Sequence, residues 1–103
     1  MRGKAFSLNG RQVRHLRALA HHLDPVVIVG KEGASDSVVR AAWQALNDHE
    51  LIKVKLPQVE KAERQQIAQH LQRALSATNV GEIGRVLVLY RRHPESPKIK
   101  LPG

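Results

Sequence analysis

The sequence predicts an α/β domain of the two-layer α+β type, ordered α-β-α-β-α-β-β around a mixed four-stranded sheet. Three observations carry this expectation. Apolar residues recur at helical spacing in three segments, residues 9–23, 35–49 and 60–77, and short strand-like runs follow the first two at 26–29 and 51–56. Two further strand-like runs, "NVGEIG" (79–84) and "RVLVLYRR" (85–92), meet at Gly84-Arg85, a connection short enough to demand a hairpin.

Each element has a local reason. In the first helix Val13, Leu16, Leu19, Ala20 and Leu23 share one side, and Arg11, Arg14, Arg17, His21 and His22 fall opposite, so the helix has an oily and a cationic face. Asn9 is placed to cap its start, and Asp24-Pro25 ends it because the residue before a proline is pushed out of the helical region. "VVIV" (26–29) is β-branched without a break, as expected of a central strand. Ser35 caps the second helix, Asp36 suits its positive end, and Val38, Val39, Ala42, Trp43, Ala45 and Leu46 form the arc expected to be buried. "LIKVKL" (51–56) alternates, so that Ile52, Val54 and Leu56 point to one face and Lys53 and Lys55 to the other. The third helix turns Ile67, Leu71, Ala74 and Leu75 inward. Right-handed crossovers put the second and third helices on one side of the sheet. The Lys53/Lys55 face is then left without an evident helical cover.

At 103 residues with 42% apolar content, the expectation is a single domain over 1–103, with short basic extensions at 1–7 and 93–103. The absence of cysteine removes disulfides, thiolate catalysis and Cys-bound zinc, and fits a reducing cytoplasm, the expected location. No apolar run reaches the roughly 18 residues of a membrane span, and "MRGKAFSLNG" lacks a signal-like apolar core, so a soluble, unprocessed chain with no membrane partner is expected. The net charge is +8, and its placement is uneven: residues 1–17 carry +5 and residues 85–103 carry +4, leaving the middle slightly acidic. Two basic chain ends, if folded close together, make a concentrated positive face suited to a polyanion. The plainer alternative is a solubilising surface.

"GKEG" (30–33) joins a strand to a helix, where backbone N–H groups and the helix dipole favour an anion, with Lys31 adding charge and Ser35 and Ser37 adding hydroxyls. It is not a nucleotide P-loop, which needs its lysine after the second glycine. "GEIG" (81–84) has the same spacing but sits in the expected hairpin, so spacing alone decides nothing. Turn and phosphate cradle both remain open for GKEG.

The stretch "LNGRQVRHLRALAHHLDPVVIVGKEGASDSVVRAAWQALNDHELIKVKL", followed by "NVGEIGRVLVLYRR" and "KIKLPG", resembles the CRM domain, the chloroplast RNA splicing and ribosome maturation module, in its stand-alone bacterial YhbY-like form. The resemblance spans nearly the whole chain. It implies an RNA-binding domain, a fold similar to the C-terminal domain of bacterial translation initiation factor three, and association with precursors of the large ribosomal subunit. The family's GxxG loop falls on Gly30, Lys31, Glu32 and Gly33, and the lysines of its basic sheet face fall on Lys53 and Lys55. Glu32 departs from what such a loop wants, since a carboxylate repels RNA unless it turns away.

Other constellations point nowhere sharper. The six histidines include no i, i+4 ligand pair, so no metal is expected, and His49 reads as a packed histidine near a helix end. No nucleophile, base and orienting group assemble, and neither an enzyme nor a cofactor is expected. Trp43 reads as core, Tyr90 is left unassigned, and the scarcity of aromatics favours backbone and shape recognition of structured RNA over stacking on unpaired runs. The resulting expectation is a non-enzymatic, monomeric RNA-binding protein acting on ribosomal RNA. Its contacts come from the GKEG loop, Arg11, Arg14 and Arg17, Lys53 and Lys55, and the basic end with Arg91, Arg92, Lys98 and Lys100. The rivals are a ribosome-associated protein-interaction module whose charge is incidental and a nucleoid-type DNA binder.

Overall fold

The structure is a computed structural model that describes residues 7–103. The expected order holds: α1 (Gly10–Ala20), β1 (Pro25–Ile28), α2 (Asp36–His49), β2 (Leu51–Lys55), α3 (Lys61–Leu75), β3 (Thr78–Ile83) and β4 (Val86–Tyr90). The sheet runs β1-β2-β4-β3, with β1 parallel to β2 and β4 antiparallel to both of its neighbours. β1 is therefore an edge strand, not the central one its unbroken β-branched run suggested. Its inner side buries Val27, while Val26 and Ile28 are 53% and 69% exposed.

Alternation along the strands divides the interior in two. Val27, Val29, Ile52, Val54, Leu56, Leu87 and Leu89 meet Ala42 and Leu46 of α2 and Ile67, Ala68, Leu71 and Leu75 of α3, so both crossover helices share one face, as expected. Ala74, assigned to the inward stripe of α3, is exposed and Ala68 takes its place. On the other face Leu51, Val80, Val88 and Tyr90 meet Leu16 and Ala20 of α1, joined by Leu8, Val13, Ile99 and Leu101. The face expected to lack a helix is thus half covered by α1 and by the closing segment of the chain. Tyr90, unassigned from the sequence, belongs to this second core.

The caps follow the sequence. Asn9 accepts from the Gln12 N–H at 2.8 Å while the Gln12 side chain accepts from the Asn9 N–H at 3.0 Å, a reciprocal pair that fixes where α1 begins. Ser35 Oγ accepts from the Val38 N–H at the start of α2. The hairpin turn carries Gly84 at φ +62°, which a residue without Cβ adopts at little cost.

Glu50 is the residue that sequence reasoning missed. It follows α2 at φ +65°, is fully buried, and its carboxylate accepts three backbone N–H groups: His93 at 2.7 Å, Lys98 at 2.9 Å and Ile99 at 2.8 Å. Its own carbonyl accepts from the Arg91 N–H. One carboxylate therefore straps residues 93–99 to the end of the sheet, and the segment expected as a basic extension is tied into the second core. Burial pushes the Glu50 pKa up, but the three N–H groups and the nearby His93 charge outweigh it and hold the carboxyl below its ordinary value.

Candidate nucleic-acid interface

β2 places Lys53 and Lys55 on the α1 side of the sheet, as the alternation of LIKVKL requires. Lys55 stands opposite Ile28 on β1 and Val86 on β4, and Val86 stands opposite Ile83 on β3, so one row, Ile28–Lys55–Val86–Ile83, crosses the whole sheet. α1 does not cover this row: Ile83 is 77% exposed and Lys55 is exposed. The next row inward holds Lys53 beside Val88, with Gly81 beyond it. Lys53 is half-buried and its ammonium donates to the Leu23 carbonyl at 2.9 Å, which ties β2 to the segment leaving α1.

α1 brings its cations to the border of this open area. Arg17 Nε donates to the Val80 carbonyl at 2.6 Å. Gly81 makes that approach possible, because a Cβ there would lie 3.0 Å from Arg17 Nε. A β-bulge between Asn79 and Gly81, braced by Asn79 Oδ1 accepting from the Gly81 N–H, sets this register. The first glycine of GEIG thus serves packing and the second serves the turn. Arg11 and Arg14 are exposed on the same helix.

The GKEG loop lies at the Lys55 end of the sheet, since the Val29 N–H donates to the Lys55 carbonyl at 2.8 Å just before Gly30. The loop is a tight turn: the Gly33 N–H donates to the Gly30 carbonyl at 2.9 Å, and Gly33 has φ +90°. Lys31 and Glu32 occupy its two central positions and are exposed. The Glu32 carboxylate folds back over Gly30, where a Cβ would meet its oxygens at 2.9 and 3.1 Å, so Gly30 is the seat of that side chain. Turn geometry does not remove the loop from the surface. It leaves Lys31 exposed at the Lys55 end of the sheet and curls the Glu32 carboxylate over the loop's own first glycine.

The remaining sequence candidates lie elsewhere. Arg91 and Arg92 follow β4 at the end where Leu51 pairs with Tyr90, four residues of strand, or about 13 Å, from the Lys55 row. The Arg91 guanidinium donates to the Leu75 carbonyl at 2.9 Å and Asn47 Oδ1 at 2.7 Å and lies 4.1 Å from the Trp43 ring centre, locking the ends of α2 and α3 to β4. Its desolvation there lowers its pKa. Lys98 donates its ammonium to the Asp48 carbonyl at 2.7 Å, while Arg92 and Lys100 are exposed. Trp43, expected in the core, is 48% exposed beneath Arg91, and His49, expected to be packed, is exposed. Arg91 and Lys98 thus do structural work at the far end, whereas Arg17, Lys53, Lys55 and GKEG gather around the open half of one sheet face.

An α+β domain whose mixed sheet is helix-covered on one face and half open and cationic on the other is the frame in which the comparisons with known proteins fall. The chain belongs to the CRS1/YhbY (CRM) domain family, whose profile matches residues 8–91. It is 43% identical over 96 residues to a Haemophilus influenzae protein named "RNA-binding protein", covering 93% of this chain and 96% of that one. It is 38% identical over 95 residues to the Bacillus subtilis "Probable RNA-binding protein YqeI", covering 92% and 99%. The solution structure of the hypothetical protein SAV1595 from Staphylococcus aureus superposes with a TM-score of 0.80 at 35% identity, covering 93% of this chain and all of that one.

Proposed function

We propose that this chain is a non-enzymatic RNA-binding protein that acts as a monomer in the cytoplasm on ribosomal RNA of large-subunit precursors. The observation that carries the RNA part is the open sheet face with Lys53 and Lys55, bordered by Arg17 and continued at its edge by Lys31. Two cations on one side of a single strand, with others on α1 and the GKEG loop around the same shallow surface, suit a phosphate backbone, and relatives named for RNA binding support the same reading. The ribosomal part rests on the resemblance to the CRM family.

Crosslinking in growing cells, followed by mapping of the attached RNA, tests both parts. Enrichment of large-subunit ribosomal RNA, with crosslinks lost in a Lys53→Glu/Lys55→Glu chain, is expected. Crosslinks confined to messenger or transfer RNA overturn the ribosomal assignment. Attachment to ribosomal particles that survives nuclease treatment points instead to a protein-held module.

A further inference from the structure

Where α1 ends over the sheet, the half-open face deepens into a cleft of about 230 Å³. Its apolar walls are Ala20, Val88 and Ile83, its rim carries Arg17 and His21 from α1 and Lys53 from β2, and the stretch Gly81 to Ile83 of β3 closes the remaining side. We propose that this cleft holds a single unpaired nucleotide of the bound RNA, base inward and phosphate on the Arg17–Lys53 rim, an inference that rests on the RNA-binding reading above.

Two features favour this occupant. Among the described residues, the two main rim cations are held in place by bonds that leave donors to spare: Arg17 uses Nε on the Val80 carbonyl and keeps its two terminal nitrogens, and Lys53 uses one of three ammonium hydrogens on the Leu23 carbonyl. Groups already fixed lose little freedom when they meet a ligand. Second, Ile83 is 77% exposed at the mouth, an apolar side chain that gains from covering a base face, and paired RNA keeps its base faces inside the helix. A flat run of lysines would serve a duplex. A concave apolar floor beneath cations serves a nucleotide that has left the stack.

The test measures binding of the full chain to two labelled RNA hairpins of one stem sequence, one fully paired and one with a single bulged adenosine, at one salt concentration. The wild type is expected to prefer the bulged hairpin by about three- to tenfold, less than stacking on an aromatic platform provides. Ile83→Ser, on an exposed side chain, should bring that ratio to about one, whereas Ile28→Ser, on the same face outside the cleft, should leave it unchanged. Equal binding of both hairpins by the wild type, or a preference that survives Ile83→Ser, overturns the inference while RNA binding stands. Binding of neither hairpin at low salt overturns the RNA-binding reading itself, and the cleft assignment with it.

Discussion

Replacing Glu50 by alanine removes the acceptor of three partly buried backbone N–H groups at once. An unsatisfied buried donor costs about 1–3 kcal/mol, and relaxation of residues 93–99 toward water recovers part of that, so a loss of about 3–4 kcal/mol is expected. For a domain of this size each kcal/mol lowers Tm by about 4–8 °C, placing the Glu50→Ala midpoint more than about 12 °C below wild type. Glu50→Gly should lose less, because φ +65° strains every side chain and glycine escapes that strain. Acidity probes the same contact. The folded-state pKa lies below the ordinary carboxyl value of 4.5, so the stabilisation is complete above that value and is lost as pH falls through the folded pKa. Glu50→Gln, lacking a titrating group, should show a flatter stability profile from pH 5 downward. Thermal unfolding across this range, with amide exchange followed at His93, Lys98 and Ile99, provides both readouts. A Glu50→Ala loss below about 1 kcal/mol, or parallel acid profiles for wild type and Glu50→Gln, would refute the strap.

Lys53→Glu with Lys55→Glu should weaken RNA binding by more than about tenfold, and losing the Lys53 bond to the Leu23 carbonyl should cost about 1 kcal/mol of stability, checked by filter binding and melting. Lys31→Ala should leave Tm unchanged yet flatten the slope of log K against log salt by about 0.7–0.9, one phosphate's worth of counterions; an unaltered slope makes GKEG a turn and nothing more. Gly84→Val should destabilise by about 1–2 kcal/mol or more, because a β-branched residue resists φ +62°, and a chemical-denaturation midpoint equal to wild type sinks that account. Arg91→Ala should cost about 2–4 kcal/mol and alter Trp43 fluorescence, with Arg91→Lys recovering little because an ammonium cannot span the Leu75 carbonyl and Asn47 while covering the ring.

Element types and faces were legible in the chain because they are written in periods of two and 3.6 residues, which local burial enforces. The alternation of LIKVKL put Lys53 and Lys55 on one face, Asn9 and Ser35 marked helix starts, and Gly84 marked the hairpin. Strand order is not local. Nothing between residues 26 and 29 says that β1 has a neighbour on one side only, so its unbroken β-branched run suggested a centre where an edge was built. The same limit governs the candidate site. Charge counts treated Arg17, Lys53, Arg91 and Lys98 alike, but the fold gathers the first two around one cleft and commits the others to carbonyls of α2 and α3. Glu50 carried no pattern at all, because its three donors lie more than forty residues away and converge only after β2 and β4 have paired. Local periodicity decides which side of an element is apolar. Which apolar sides find cover, and which charges are drawn inward to satisfy carbonyls and amides, is decided by contacts that exist only once the sheet is assembled.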